Sequence, residues 1–194
     1  MPFNLILNNV SKYIQLTGDE REIFFGLLET KSVKRKQFLL HDGEICKYSA
    51  FVTSGCLRGY IVDKNGSEHV LEFAPPDWWM ADMYSLISQK PGTLYIEALE
   101  DTDLILLSKT NQEKLYNLIP KFERFFRILI EKSLVANQQR IIDNMSLTAE
   151  DRYNIFCKRY PSVIDQLPQK HLASYIGVTP EFFSRMRAGM ARKR

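Results

Sequence analysis

The chain has 194 residues, of which 45% are apolar and 25% charged, a composition typical of a soluble globular protein with enough core to fold without disulfides. It has no apolar run of the roughly 18 residues that a membrane-spanning helix needs, and its first ten residues lack the basic start and cleavage site of a signal peptide. We therefore expect a cytoplasmic protein with no membrane partner.

The three cysteines do not have the spacing of a disulfide framework or a metal site. Cys46, Cys56 and Cys157 are odd in number and far apart, with no CxxC pair among them. We expect reduced thiols and neither a structural zinc nor an iron–sulfur cluster. The sequence predicts no cofactor and no metal.

The net charge of +3 is unevenly distributed along the chain. From residue 148 onward there are nine Lys and Arg residues and four acids, a balance of +5, whereas the first 147 residues have 17 basic and 19 acidic residues, a balance of −2. A basic C-terminal segment suits contact with a polyanion. A solvated charged surface would explain the same composition.

The first 31 residues have the pattern of helices. Thr17 and Glu20 have the spacing of a capping box, and apolar residues follow at helical intervals. Those apolar residues are Ile23, Phe24, Leu27 and Leu28.

Residues 34–108 have the pattern of short strands separated by turns, which predicts a small roll, barrel or sandwich. Asn65-Gly66 predicts a tight hairpin in which both central residues have positive φ. A calcium loop at Asp63 is the alternative, but it lacks the downstream acid that would complete it. The predicted strands cover 38–40, 50–52, 57–62, 69–73, 94–98 and 104–107.

Residues 120 to about 145 form one long predicted helix, with no Gly or Pro after Pro120. Its apolar residues spread wider than one face, which favours packing against both its own domain and a second partner; a simple core helix is the alternative. The helix should end near residues 144–146. Thr148 and Asp151 have the spacing of a capping box that begins a helical segment at 148–194, broken near Pro161 and Pro168.

Residues 169–187 have the pattern of a helix-turn-helix. Ala173 is small where two helices would touch, and Gly177 follows four residues later where the turn needs positive φ. Thr179 caps the second helix and Pro180 occupies its first turn. The expected inner face comprises Leu172, Ala173, Ile176, Val178, Phe183 and Met186.

The outer face of the second helix would contact DNA. Arg185 could bond guanine and Glu181 could accept from cytosine in a major groove. The alternative is an ordinary helical hairpin in which these two side chains form a surface ion pair. The other candidate DNA contacts are Lys170, His171, Thr179, Ser184 and Arg187.

Over nearly its whole length the chain resembles the Crp/Fnr superfamily of transcription regulators. The resemblance rests on the β-rich N-terminal half, on the long helix and on the helix-turn-helix, whose segment Thr179-Pro-Glu-Phe-Phe-Ser-Arg185 is similar to the family's recognition helix. It implies that Glu181 and Arg185 contact bases. A third base-contacting position, often Arg in the family, is Pro180 here, so the operator should differ from the best-known one.

The resemblance implies an α+β fold with three parts. These are a jelly-roll-like β-roll sensor domain of the cyclic nucleotide-binding type (1–119), a dimerisation helix and hinge (120–147), and a winged-helix-like helix-turn-helix domain (148–194). Helix 120–145 would join two copies in parallel about a two-fold axis. The implied partners are double-stranded DNA at a palindromic operator, a second copy of the chain and a small-molecule effector; RNA polymerase is a further candidate.

The family's phosphate-binding cassette corresponds to residues 79–93. The family has a Gly-Glu pair and, ten residues after the Glu, an Arg that neutralises a cyclic-nucleotide phosphate; here Ala81-Asp82 and Gly92 occupy these positions. Without the Arg, the phosphate loses a bidentate charged partner. We expect the pocket to bind a small molecule other than cyclic AMP, or nothing. The candidate pocket residues are Trp79, Asp82, Met83, Thr93, Asn137 and Gln138.

Two alternatives stay open for these candidates. Trp79 and Met83 could be ordinary core and rim residues. Asn137 and Gln138 match positions that reach the ligand across the family's dimer, but they could instead only fix the register of the two helices.

Two other classes of function are alternatives to DNA binding. The histidines at 41, 69 and 171 have neither metal spacing nor a nucleophile–base pattern, so we expect no enzyme. A ligand-binding or protein-interaction module with the same fold and no specific DNA contact is the second alternative.

Overall fold

The computed structural model describes residues 3–192 and all side chains in that range except that of Arg192. Of the nine basic residues counted after residue 147, the side chains of Arg192, Lys193 and Arg194 lie outside the described part of the chain. The helices are α1 (Asn4–Ser11), α2 (Gly18–Gly26), α3 (Met83–Ser88), α4 (Lys109–Leu118), α5 (Lys121–Ser146), α6 (Ala149–Arg159), α7 (Gln169–Ile176) and α8 (Pro180–Arg192). The strands are β1 (Leu28–Val33), β2 (Phe38–Leu40), β3 (Tyr48–Ser54), β4 (Leu57–Val62), β5 (Glu68–Ala74), β6 (Trp79–Met80), β7 (Tyr95–Ala98) and β8 (Thr102–Ser108).

The strands form two four-stranded sheets, in the orders β1-β8-β3-β6 and β2-β7-β4-β5. In the first sheet β8 lies between β1 and β3 and is antiparallel to both, with Leu107 opposite Leu28 on one side and Ser49 on the other. Together with the helices, these sheets confirm the predicted α+β fold with an N-terminal β-roll. No helix within residues 3–192 is long and apolar enough to cross a lipid bilayer.

The chain divides into two compact units. The first comprises residues up to 59 and residues 73–133, and the second comprises residues 60–72 and residues from 134 onward. Helix α5 begins in the first unit and ends in the second. The domains predicted at 1–119, 120–147 and 148–194 stay a prediction.

The core of the first unit is a cluster of aromatic and aliphatic side chains on α1, α2, β3, β8 and the start of α5. Phe122 is fully buried, with its ring 4.6 Å from that of Phe24 and 5.9 Å from that of Phe125. Such centroid separations are typical of aromatic pairs that stabilise beyond their buried area. The start of α5 is therefore anchored in the β-roll by its phenylalanines.

The N-terminal helical prediction extends too far. Helix α2 ends at Gly26, and residues 28–31 lie in β1, where Thr30 pairs with Ile105. The capping box at Thr17 and Glu20 is confirmed, since the Glu20 N–H donates to Thr17 Oγ1 at 3.3 Å and the Thr17 N–H to Glu20 Oε2 at 2.7 Å. The β-pairing with β8 outweighs the helical spacing of Leu27 and Leu28.

The hairpin at Asn65-Gly66 is confirmed, but its turn differs from the predicted one. Gly66 has a φ of 81°, whereas Asn65 is not in the positive-φ region. Asp63 replaces the second positive-φ residue, because its Oδ1 accepts from the N–H groups of Asn65 (2.8 Å) and Ser67 (3.0 Å). The pKa of Asp63 is lowered mainly by its hydrogen bond with His69 and, to a smaller extent, by these backbone hydrogen bonds. Its carboxylate therefore stabilises the turn.

The second unit contains the end of α5 and helices α6, α7 and α8. Thr148 caps α6 as predicted, accepting from the Asp151 N–H at 3.2 Å. After α5 the structure has only helices up to residue 192, so the predicted winged-helix-like domain has no wing strand in this part of the chain. The rings of Phe156, Tyr160 and Tyr175 pack together, with Phe156 4.8 Å from Tyr160 and 4.9 Å from Tyr175.

Within the second unit, the backbone of residues 68–71 is hydrogen-bonded to α5 and α7. Ser174 Oγ accepts from the Val70 N–H at 2.9 Å and donates to the Glu68 carbonyl at 2.7 Å. Arg140 donates to the carbonyls of Val70 (2.9 Å), Leu71 and Tyr175 (3.1 Å). Two side chains thus satisfy main-chain groups of β5 that no strand pairs with at this edge.

Glu72, which follows this segment in β5, has a pKa shifted from its usual value. Burial raises its pKa to about 7, although the positive charges of Arg159 and Arg140 act in the opposite direction. Because the folded state holds the proton more tightly than the unfolded chain, the free energy of unfolding should fall as pH rises from about 4.5 to about 7.

We predict that Glu72→Gln stabilises the protein at pH 8 by about 1–2 kcal/mol relative to the wild type, and by much less at pH 5. The amide is neutral at both pH values and so avoids the cost of a buried carboxylate. Urea unfolding at the two pH values measures the difference. Glu29→Gln, at an exposed position of β1, is the control and should change stability equally at both; an effect of Glu72→Gln that does not change with pH would contradict the prediction.

Candidate nucleic-acid interface

The turn between α7 and α8 has the geometry that the sequence predicts. Gly177 has a φ of 77°, a conformation that strains any residue with a Cβ. The N–H groups of Gly177 and Val178 return to the carbonyls of Ser174 (3.1 Å) and Ala173 (3.0 Å), which closes the last turn of α7. The chain then changes direction within three residues, and α8 begins at Pro180.

The inner face of this helix pair is apolar and buried. Thr179 caps α8 by accepting from the Phe182 N–H at 3.2 Å, and Ala173 and Phe183 are fully buried. Val178 and Met186, also predicted for this face, are half-buried. The ring of Phe183 lies 5.3 Å from that of Tyr153, so α8 is held against α6 by an aromatic contact. These contacts fix which side of α8 faces outward.

The outer face of α8 presents Glu181 and Arg185, which are both exposed. Neither side chain forms a hydrogen bond or an ion pair with another residue in the described part of the chain, so the ion pair of the alternative interpretation is not formed there. The two residues are four apart, and their side chains therefore leave the helix on the same side. They are available to an external partner.

The other predicted DNA contacts differ in exposure. Lys170, Thr179 and Ser184 are exposed. Arg187 is exposed too, but its guanidinium carbon also lies 5.9 Å from the ring centroids of Tyr153 and Phe183. It therefore packs partly against its own unit.

His171 requires a correction. Only 6% of this residue is exposed, so its side chain lies inside the second unit and not on the surface that would meet a phosphate. His171 and the buried Tyr175 are one helical turn apart on the same face of α7, which packs inward. His171 is therefore not part of the proposed DNA interface.

The cassette at residues 79–93 forms a loop that is closed by its own polar groups. Asp82 is buried and caps α3 by accepting from the Ser85 N–H at 2.9 Å. Ser85 Oγ donates to the Lys90 carbonyl (2.6 Å) and accepts from the Cys46 N–H (2.9 Å). Burial also raises the pKa of the Cys46 thiol, which stays protonated at neutral pH.

Gly92, which by the resemblance corresponds to the phosphate-binding Arg of Crp/Fnr regulators, lies where an added side chain would overlap Asp82. A Cβ there would lie 2.1 Å from Asp82 Oδ2. The Gly92 backbone is also paired with the segment before β3, donating to the Glu44 carbonyl (3.1 Å) and accepting from the Gly43 N–H (2.9 Å). The loop therefore supplies no cation at residue 92, and Asp82 places a carboxylate beside it.

The remaining candidates for the effector pocket are not all pocket residues. Trp79 packs in the core of the first unit, with its ring 5.2 Å from Phe51 and 5.6 Å from Phe126, and its indole N–H donates to Asn9 Oδ1 at 3.2 Å. Met83 and Thr93 are exposed in the first unit. Asn137 and Gln138 are exposed on the part of α5 that belongs to the second unit.

Sequence analysis missed a buried ion pair in the β-roll. Arg58 on β4 donates from Nε and Nη2 to Glu97 Oε2 on β7, at 2.8 and 2.6 Å, and only 4% of Arg58 is exposed. The one available signal was a charged residue inside the apolar run 57–62. The partner on β7 follows only from the three-dimensional pairing of strands.

A β-roll, a long continuous helix and a C-terminal helix-turn-helix are the architecture of Crp/Fnr-type regulators. Residues 30–118, from β1 to the end of α4, match the sequence profile of the cyclic nucleotide-binding domain. Among curated proteins, none matches this sequence.

Solved structures with the same architecture are similar over most of the chain. FixK2 from Bradyrhizobium japonicum superposes with a TM-score of 0.75 at 19% identity, covering 86% of this chain and 85% of its own. The c-di-GMP responsive global regulator CLP from Xanthomonas campestris gives 0.73 at 14% identity, covering 91% and 93%. The catabolite activator protein of Thermus thermophilus gives 0.59 at 19% identity, covering 92% and 85%. The fold implied by the resemblance to Crp/Fnr regulators is thus confirmed.

We predict that Gly92→Ala destabilises the protein by about 1–3 kcal/mol, because the new methyl group overlaps the buried Asp82 carboxylate. Urea unfolding measures this loss. Gly189→Ala is the matched control, since a Cβ there meets nothing within 4 Å and should be neutral or stabilising. The cost of Gly92→Ala should shrink in an Asp82→Ala background; an equal cost in both backgrounds would show that the two residues are not coupled.

Proposed function

We propose that this protein is a sequence-specific DNA-binding transcription regulator of the Crp/Fnr type that acts as a cytoplasmic homodimer and not as an enzyme. The observation that carries the proposal is the exposed pair Glu181 and Arg185 on α8, directly after the Gly177 turn. The confirmed fold supports it, because in a helix-turn-helix the second helix enters the major groove.

In the proposed complex, α8 lies in the major groove with its N-terminal residues against base edges. Arg185 donates two N–H groups to guanine N7 and O6, and Glu181 accepts from a cytosine amino group. Lys170, Thr179, Ser184 and Arg187 surround this pair and would bond phosphates. Pro180 has no N–H and no polar side chain, so it adds no base contact.

The proposed homodimer forms through α5. This helix exposes large apolar side chains within the second unit, among them Leu134 (66% exposed) and Ile141 (62%). These two are seven residues apart, and Asn137 lies between them in the same seam, as expected for a coiled coil whose register is set by a buried Asn. Two parallel copies of α5 would cover this seam, and the operator would be an imperfect palindrome with half-sites about 34 Å apart.

The effector that we propose for the β-roll is a small molecule other than cyclic AMP. The cassette has no cation at residue 92 and places the Asp82 carboxylate there, which opposes a phosphate. Asp82, Met83 and Thr93 are the first-unit residues that stay in this proposal. For Asn137 and Gln138 the proposed role is either contact with the effector or fixing the register of the two helices. RNA polymerase is a further candidate partner.

For the DNA interface we predict that Arg185→Ala weakens binding to an operator selected from random duplexes by about 1–3 kcal/mol and changes binding to random DNA little. Titrations of fluorescent duplexes at several salt concentrations measure both affinities. Lys170→Ala is the control: it should weaken binding to both DNAs equally and reduce the salt slope by about 1. An equal loss on both DNAs for Arg185→Ala would refute base contact, and no duplex binding by the wild type would favour a module without DNA recognition.

For the dimer we predict that sedimentation gives the wild type a mass of twice the 22.6 kDa chain. Leu134→Lys combined with Ile141→Lys should give a monomer, because two charges per chain would be buried in the seam. Gln139→Lys, which lies on the opposite side of α5, should leave the dimer intact. A wild-type monomer, or a dimer that survives the double substitution, would contradict dimerisation through this seam.

A further inference from the structure

The second unit contains a cavity of about 160 Å³ between the end of α5, α6 and the end of α7. Apolar side chains, including Phe156 and Ile176, form part of its wall. We call it the arginine cavity because its lining includes Arg140, Arg152 and Arg159, together with Asp143, Asn144 and Tyr175. It lies entirely within the second unit and shares no residue with the cassette of the β-roll.

Two of these arginines are held rigidly by neutral acceptors. Arg140 donates to main-chain carbonyls of β5 and α7, and its guanidinium carbon lies 4.0 Å from the ring centroid of Tyr175. Arg152 donates from Nε to the Ile176 carbonyl (2.9 Å) and from Nη1 to the Leu147 carbonyl (2.7 Å). Within residues 3–192 neither forms an ion pair. Carbonyl groups orient a guanidinium without neutralising it, so the wall keeps two permanent positive charges.

The nearby acids offset this charge only in part. Asp143 is the one acid in the lining, and its Oδ1 accepts from Gln139 Nε2 at 2.8 Å. Glu72, close to Arg140 and Arg159, has a pKa raised to about 7 by burial and is thus partly neutral at physiological pH. The lining therefore combines three cations with one acid.

Arg140 also has an unsatisfied donor. Its Nε atom is buried and has no hydrogen-bond partner among the described residues. A buried N–H that no protein group accepts from is rare in native proteins, so this donor is suited to a bound acceptor. Since Arg140 lines the cavity, an acceptor in the cavity is the simplest partner for it.

We propose that the arginine cavity binds a small organic anion, with its carboxylate or phosphate group against Arg140 and Arg152 and its apolar part against Phe156 and Ile176. The donors that the main-chain carbonyls leave for this anion are Arg140 Nε–H and Arg152 Nη2, and a hydrogen bond between two charged groups is stronger than one between neutral groups. The volume sets the size of the ligand, because an apolar cavity of about 150 Å³ holds a benzene molecule. This site is additional to the effector pocket of the β-roll, and its existence does not depend on DNA binding.

The test uses the full-length protein and two probes of this size, benzoate and phenyl phosphate, with benzamide as the uncharged analogue. Binding is followed by the rise in the thermal unfolding midpoint and by the NMR signals of the arginine Nε–H groups, assigned from single variants. Two variants alter the cavity: Arg152→Gln removes one cation, and Ile155→Trp fills the space while leaving all three arginines. Arg187→Gln removes an exposed cation of the same unit that does not line the cavity.

We expect at least one anionic probe to bind saturably and to shift the Arg140 Nε–H signal, with benzamide at least about tenfold weaker. Arg152→Gln and Ile155→Trp should each weaken binding by about tenfold or more, and Arg187→Gln should not. If Arg152→Gln unfolds the protein, the binding measurement on Ile155→Trp alone tests the proposal. The proposal is overturned if neither anion binds below about 10 mM, if benzamide binds as well as benzoate, or if Arg187→Gln weakens binding as much as the cavity variants do.

Discussion

The backbone turn at Gly177 determines which side chains of the helix-turn-helix face outward. Its φ of 77° and the return of two N–H groups to α7 set the angle between α7 and α8. Ala173 and Phe183 then fill the space between the helices, and no rotation of α8 that buried Glu181 or Arg185 could keep these contacts. The polar side of α8 is a consequence of that turn and not an independent feature.

The two units differ in the hydrogen-bond partners of their arginine side chains. In the β-roll, the buried Arg58 is paired with Glu97, and the Asp82 carboxylate lies beside Gly92, which by resemblance corresponds to the phosphate-binding Arg of Crp/Fnr regulators. In the second unit, by contrast, Arg140 and Arg152 donate to main-chain carbonyls and form no ion pair within residues 3–192. In the described part of the chain, Arg140 and Arg152 thus keep their positive charge without a carboxylate partner.

Local patterns were sufficient to predict α5, the helix cap at Thr148 and the helix-turn-helix, because caps, glycines and helical periodicity act within a few residues. Local patterns failed where contacts between residues far apart in the sequence determine the structure. Residues 28–31 join β1 because they pair with β8, more than 70 residues away. His171 is buried on the same side of α7 as Tyr175, whose ring packs against Phe156 of α6. The bonds of Arg140 and Ser174 to β5, and the carboxylate beside Gly92, likewise join residues whose proximity only the fold creates.

Chemical protection of a selected operator tests most directly whether α8 lies in the major groove. Dimethyl sulfate methylates guanine N7 in the major groove and adenine N3 in the minor groove, so it distinguishes the two faces of the duplex. The account predicts that the bound protein protects guanine N7 at two sites about 34 Å apart on one face of the DNA. Protection confined to adenine N3, or no protected guanine on a duplex that the protein binds, would contradict it.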